Sequence, residues 1–251
     1  MLTLSSELRQ SISKHVLAEY PNEACGLIVA GKYISCKNTA EEPKTNFRIA
    51  AEDYAEAIVS GSLQAVVHSH PFATHPLNPR LDPRTPSATD QQAWIDLNVP
   101  FVIVNTNGES VSAPLVLDDD NPSDLIGRDF IHGYQDCYAI VRDYYRTRLG
   151  IVLPKQVRGW EWWATEQTLY EDNWQLAGFV EVPLIEAQVN DVVLFKVASK
   201  TTNHAAVITA PDEILHHLFY RPSGRDNLSK WHKQIVRVIR YADAAKQAPN
   251  K

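Results

Sequence analysis

The stretch 63-LQAVVHSHP-71 runs through a β-rich apolar segment into two histidines separated by one serine. Side chains alternate faces along a strand, so His68 and His70 point one way and Ser69 the other. Two imidazoles on one face at a strand's end are placed to grip a metal from one side. A tetrahedral catalytic zinc takes three protein ligands and keeps its last position for water. Asp90 is the candidate third ligand, in the first turn of the helix that 86-PSATDQQAWIDLN-98 opens with Ser87 at its cap. Glu23, at the start of 22-NEACGLIVAG-31, is the candidate base for activating that water. Each piece also has a plainer reading. A strand-end histidine is more often solvated or hydrogen-bonded, and Ser87 with Asp90 is an ordinary capping box.

Outward from this strand the pattern is mixed. Leu8, Ile12 and Val16 recur at helical spacing and predict a helix over 5–18, and 24-ACGLIVAGKYISC-36 reads as two strands turning at Gly31-Lys32. A second helix is expected over 50-AAEDYAEAIVSG-61, with Gly61 past its end, and 99-VPFVIV-104 forms a hairpin with 111-VSAPLVL-117. Strands interleaved with helices define a mixed α/β domain over residues 1–117. The acidic, aperiodic 117-LDDDNPSDLIGRDF-130 reads as a linker over 118–129. Beyond it a helix over 136–149 precedes strands at 190-NDVVLFKV-197, 203-NHAAVITA-210, 213-EILHHLF-219 and 234-QIVRVIRY-241. That order describes an α+β domain over 130–243, with 244–251 as a disordered tail.

Composition narrows the function classes. The 251 residues are 44% hydrophobic and 22% charged with net charge −6, ordinary for a globular protein and poor for binding a phosphate backbone. No apolar run approaches a membrane span, and the first residues lack a secretory pattern. Three cysteines, Cys25, Cys36 and Cys137, argue against a disulfide framework and for a reducing compartment at synthesis.

Cys137 stands at the beginning of its helix, behind the capping residue Asp136. The unpaired N–H groups and positive dipole end there favour a thiolate. A nucleophilic cysteine needs an imidazole to take its proton and a third group to orient that imidazole. His204 lies at a strand start. If Ala210-Pro211-Asp212 turns the chain, His216 on the next strand faces it. Only one of His216 and His217 can share a face with His204. The plainer reading of Cys137 is a small hydrophobe on a core face. Trp160, Trp162, Trp163 and Trp174 cluster nearby, either packing a loop onto the core or forming an aromatic platform for a binding partner.

Taken together, the elements PNEACGL, HSHP and PSATD resemble the metalloprotease motif of the JAB1/MPN/Mov34 family. The resemblance implies Glu23 as general base, His68, His70 and Asp90 as zinc ligands, and Ser87 as a group that helps hold the oxyanion. The Pro-rich connection 72-FATHPLNPRLDPRTP-86, with its additional His75, is longer than usual for that family. DC opening a helix, then NHAAV and a later histidine, resemble the NlpC/P60 cysteine peptidases, papain-related α+β enzymes that cut peptide stems of bacterial cell walls. That likeness implies Cys137 as nucleophile, His204 as base and His216 as the orienting residue. Tyr138-Ala139 stand where most of that family has Ser-Gly. The fusion of both domains, with DCYAIVRDYYR, WEWW and ILHHLFYRPSGRDN, is similar to the tail tip assembly proteins of lambda-like tailed phages. It implies other tail tip proteins as partners and a peptidoglycan peptide as substrate. It also implies residence in the host cytoplasm during assembly, then at the virion tail tip, and action on the periplasmic wall. Two functions compete: a bifunctional zinc and cysteine hydrolase, and a structural assembly factor whose sites are idle.

Overall fold

The computed structural model describes residues 2–119, 122 and 124–242. The expected disordered tail at 244–251 lies outside the described residues, as do positions 120, 121 and 123 of the expected linker. The chain forms two compact units, Met1–Pro122 and Ser123–Lys251.

In the first unit, helix α1 (Ser6–Glu19) starts where the Ser5 hydroxyl accepts the Leu8 N–H, and it buries Leu8, Ile12 and Val16. Strands β1 (Cys25–Val29) and β2 (Lys32–Cys36) form a hairpin in which Val29 faces Lys32. The turn residues are therefore Ala30 and Gly31, at φ 48° and 76°, one position earlier than expected. A two-residue hairpin turn whose twist suits the strands needs left-handed backbone at both positions, and Gly31 supplies one of them at no steric cost. Helix α2 (Ala51–Val59) then leads to strand β3 (Leu63–His70). Helix α3 (Ala88–Leu97) carries the chain over to β4 (Phe101–Asn105), which runs parallel to β3, and β5 (Leu115–Leu117) closes the sheet. The sheet order is β2-β1-β3-β4-β5, so β3 is central and buried along most of its length. Ala65 and Val67 pack with Leu8, Ile12 and Val16 of α1. By alternation, His68 and His70 belong to the opposite face.

In the second unit, α4 (Cys137–Tyr144) follows the Asp136 cap. The expected helix over 136–149 does not stay α-helical. From Tyr145 to Leu149 it widens into a π-type turn that ends at Gly150, φ 69°. The Tyr145 ring is buried, its hydroxyl donates to the Asn190 carbonyl at 2.6 Å, and Thr147 bonds back to the Asp143 carbonyl. Tertiary anchoring thus overrides the regular ladder. A short helix α5 (Leu169–Asn173) precedes β6 (Phe179–Val182), β7 (Val192–Phe195), β8 (His204–Ala210), β9 (Glu213–His216), β10 (Gly224–Asn227) and β11 (Ile235–Tyr241). These make one antiparallel sheet in the order β10-β9-β8-β7-β11-β6. Alternation divides it cleanly. Leu194, Ala205, Val207 and Leu215 pack beneath Ile140 and Val141 of α4, while Val193, Phe195, Ala206, Ile208 and Ile214 pack on the other face. Strands β6 and β10 were not foreseen. Gly-Arg-Asp-Asn has no apolar alternation, and it enters the sheet because β9 offers it a ladder. Gly127 and Arg128 bond Ser223, so the end of the expected linker packs with the second unit.

Candidate functional sites

In the first unit the ligand atoms of His68, His70 and Asp90 lie within 4.8 Å of one another, and all three residues are buried. Strand β3 presents both imidazoles on one face, and the first turn of α3 brings the carboxylate to them. His68 Nε2 stands 3.3 Å from Asp90 Oδ1, and His70 Nε2 stands 3.7 Å from Asp90 Oδ2. The capping box exists as well: Ser87 Oγ accepts the Asp90 N–H at 3.1 Å, and Asp90 Oδ2 accepts the Ser87 N–H at 2.8 Å. The two readings of Asp90 are therefore one arrangement, in which the cap fixes the carboxylate against the histidines. His70 donates from Nδ1 to the Pro83 carbonyl at 2.7 Å, which leaves Nε2 as the nitrogen for a metal. The long Pro-rich connection thus folds back to orient one of the imidazoles.

His68 is fully buried; its Nδ1 has no hydrogen-bond partner among the described residues, and its Nε2 has only the 3.3 Å approach of Asp90 Oδ1. A buried imidazole left this way costs free energy that a metal bond would offset. Two imidazole nitrogens and a carboxylate are a zinc-type donor set, so the residues fit the metal. His75 is not part of this group among the described residues. Glu23 is buried just before β1. It is seated by Ser69, which sequence reasoning had treated only as the spacer between the histidines. The Ser69 hydroxyl accepts the Ala24 N–H at 2.9 Å, and the Ser69 N–H donates to the Ala24 carbonyl at 3.0 Å. Burial raises the Glu23 carboxyl above its ordinary range, against the pull of the His68 and His70 imidazoles.

In the second unit the β8–β9 hairpin turns through Pro211 and Asp212 (φ 57°), pairing Ala206 with His216. His204 and His216 are diagonal neighbours on one face, with His204 Nε2 3.1 Å from His216 Nδ1. Cys137 and His204 line one cavity of about 250 Å³, together with Tyr170, Asn203, Trp160, Trp163 and His217. The Cys137 thiol donates to the Asn203 carbonyl at 3.8 Å and stands 3.4 Å from the Tyr170 hydroxyl.

The helix terminus expected to favour a thiolate is occupied by a carboxylate. Asp136 accepts both the Tyr138 and Ala139 N–H groups, which fills the helix terminus with a carboxylate. Burial first, and then that carboxylate, push the Cys137 thiol up to about 11. Burial also lowers the His204 imidazole well below its ordinary value, with His216 and Arg221 adding to it. Asp136 itself is held ionised despite burial, chiefly by the two-pronged Arg158 guanidinium at 2.9 and 3.2 Å. Tyr170, Arg158 and Arg221 carried no recognisable sequence signal, because each reaches the site from a different element.

The tryptophans serve both readings: Trp163 and Trp174 pack against the core cluster that contains Trp162, and Trp162 also lines the cavity. Trp160 and Trp163 line the cavity as well and meet His132 edge-on at 5.3 and 6.1 Å. His132 donates to the Arg158 and Gly159 carbonyls at 3.0 Å and so pins their loop. His217 turns to the side opposite His216 and faces this cavity, fully buried.

Two measurements follow from this geometry. All three thiols are pushed up by burial, Cys137 as far as Cys36, but Cys25 and Cys36 are buried while Cys137 is partly open, so access alone separates them. Iodoacetamide should therefore label Cys137 first in the folded protein at neutral pH. Equal labelling of all three by peptide mapping would contradict the partly open site. Burial lowers both His216 and His217 from 6.5 to about 4. The unfolded chain then binds protons that the folded one refuses, so stability is full above about pH 6.5 and declines as pH falls toward 4. Melting temperature should drop between pH 7.5 and 5, with a shallower slope in His217→Gln; identical slopes would contradict the assignment.

Residues 5–116 match the family described as prokaryotic homologs of the JAB domain, and residues 127–240 match the NlpC/P60 family. The chain is thus a two-domain protein in which a JAB-like domain precedes an NlpC/P60 domain. It is 30% identical over 240 residues to tail tip assembly protein K of Escherichia phage N15, covering 93% of both chains. It is 34% identical over 196 residues to the protein of the same name from Escherichia phage lambda, covering 77% of this chain and 89% of that one. The chain belongs to the tail tip assembly protein K family. An NlpC/P60 family structure from Bacillus cereus covers 91% of this chain and 66% of its own length at 12% identity, with a TM-score of 0.36, too loose an overlap to bear on the sites. Among the described residues, no helix is long and apolar enough to cross a membrane.

Proposed function

We propose that this protein takes part in building the phage tail tip through contacts with other tail proteins. We further propose that its second domain hydrolyses stem peptides of peptidoglycan. Cys137 is the nucleophile, His204 the base and His216 the residue that orients the base. The observation that carries this reading is the shared cavity of Cys137 and His204, backed by the 3.1 Å contact between His204 and His216. Hydrolysis proceeds through an acyl-enzyme. The cysteine sulfur attacks the peptide carbonyl, the leaving amine takes the proton that came from the thiol, and water then releases the acid and restores the thiol. Trp160 and Trp163 give the wall fragment an aromatic wall to rest on.

The first domain is proposed as a zinc-dependent peptidase. His68, His70 and Asp90 hold the metal, which when bound supplies Lewis acidity and a water of lowered pKa. Glu23 moves the proton of the attacking water, and Ser87 offers its hydroxyl to the oxyanion. On this reading the protein works in the host cytoplasm during assembly, resides at the virion tail tip and acts on the periplasmic wall.

The second reading, a structural assembly factor with idle sites, is favoured by one observation. The Asp136 carboxylate occupies the N–H groups at the head of α4, and with burial it pushes the Cys137 thiol up, away from the thiolate that attack requires. Digestion of purified peptidoglycan by wild type and Cys137→Ala separates the two readings.

A further inference from the structure

His216 is held from both sides. Its Nδ1 meets His204 Nε2 at 3.1 Å, and its Nε2 meets a guanidinium nitrogen of Arg221 at 3.1 Å. Arginine only donates hydrogen bonds, so His216 Nε2 accepts and its single proton sits on Nδ1. That proton is donated to His204 Nε2, which therefore carries none, and the proton of neutral His204 sits on Nδ1. A base taking the Cys137 proton needs the reverse arrangement: an open lone pair on His204 Nδ1 and an Nε2–H given to His216. With Arg221 in place, every nitrogen along the chain points its proton the wrong way.

We propose that Arg221 is a positioning residue that latches the cysteine site in a resting tautomer, released when its guanidinium leaves His216. This inference rests on the reading of Cys137, His204 and His216 as a thiol site. The alternative seat for the guanidinium is adjacent. Asp226 Oδ2 lies 3.7 Å from the same Arg221 nitrogen, already at the range of a long ion pair, and the Arg221 side chain is 49% exposed. Asp226 is itself anchored by Lys230 at 2.9 Å and by the Trp231 indole N–H at 3.2 Å. When Arg221 moves to Asp226, His216 Nε2 can carry a proton and give it to water, and Nδ1 becomes the acceptor for His204. No bond breaks other than N–H exchange with solvent, so the switch needs no co-reactant.

The other charged or titratable groups facing these three residues are Asp136 and Arg158 at the head of α4, Tyr170 on α5 and His217 beside His216. Asp136 and Arg158 neutralise one another through their paired bonds, and the Tyr170 hydroxyl lies 3.4 Å from the sulfur.

The test is the pH profile of Cys137 alkylation by iodoacetamide in the full chain, without peptidoglycan. Arg221→Ala should raise the rate at pH 7 about ten-fold and lower the profile's midpoint by about one pH unit, since the attacking species is the thiolate. An unchanged or slower profile, in protein with wild-type melting temperature, overturns the latch. Nitrogen-15 NMR of the histidine rings gives a reading on wild type that needs no variant. His216 protonated at Nδ1 supports the proposal, and His216 protonated at Nε2 overturns it. Because no wall substrate is present, a latch that behaves as proposed in a protein that releases no peptide fragments leaves this inference standing while the hydrolase reading fails.

Discussion

Purified peptidoglycan incubated with wild-type protein should release soluble stem-peptide fragments, and Cys137→Ala should reduce their release by at least about 10³-fold, the usual cost of deleting the nucleophile of a covalent hydrolase. The argument starts from position. Cys137 is the first residue of α4, and its sulfur is held between the Tyr170 hydroxyl and the Asn203 carbonyl at the edge of a cavity that also contains His204. Alanine in its place removes the sulfur and little else, since Asp136 goes on capping the helix through the Tyr138 and Ala139 N–H groups. The variant should therefore fold with an unchanged melting temperature. Fragments released equally by both proteins would assign cleavage to another group. No fragments from the wild type would favour the structural reading, and Arg221→Ala would then show whether the latch alone withholds activity.

Protein purified without chelators should carry about one zinc per chain, and the double variant H68A/H70A should carry none. Two of the three donors go at once, and Asp90 alone keeps only the company of its own helix cap. The buried His68 Nδ1, which lacks a hydrogen-bond partner among the described residues, and the Asp90 carboxylate held 3.3 Å from Nε2 add to what spacing alone offers. Bound metal also stabilises the folded state, by about 4 kcal/mol at a thousand-fold excess over its dissociation constant. Chelation should accordingly lower the melting temperature of the wild type and leave that of the double variant where it was. Metal analysis finding no zinc in the wild type, or as much in the variant, would refute the site.

The elements most legible in the sequence were those with one buried face. Leu8, Ile12 and Val16 announce α1, and the run from Leu63 to Val67 announces the central strand. The candidate site residues stood out where chemistry and local structure coincide: two histidines at alternate strand positions, a capping Ser87 three residues before Asp90, and a cysteine behind a capping aspartate. The turn at Ala30-Gly31 was displaced by one residue, because its position follows from the pairing of Val29 with Lys32 rather than from the glycine alone. Strand β10 was missed because its polar residues are recruited by the neighbouring strand.

By itself the sequence determined which side chains are candidates for chemistry and on which local element each one sits, since alternation, capping and helical spacing act over a few neighbouring residues. Tertiary structure alone decided the state of those side chains. The ionisation of Cys137 depends on burial and on the Asp136 carboxylate, the free nitrogen of His70 on a carbonyl 13 residues away, and the tautomer of His216 on Arg221. Electrostatic and hydrogen-bond energies depend on distance and water exclusion, and both are fixed only when the separate elements close around the site.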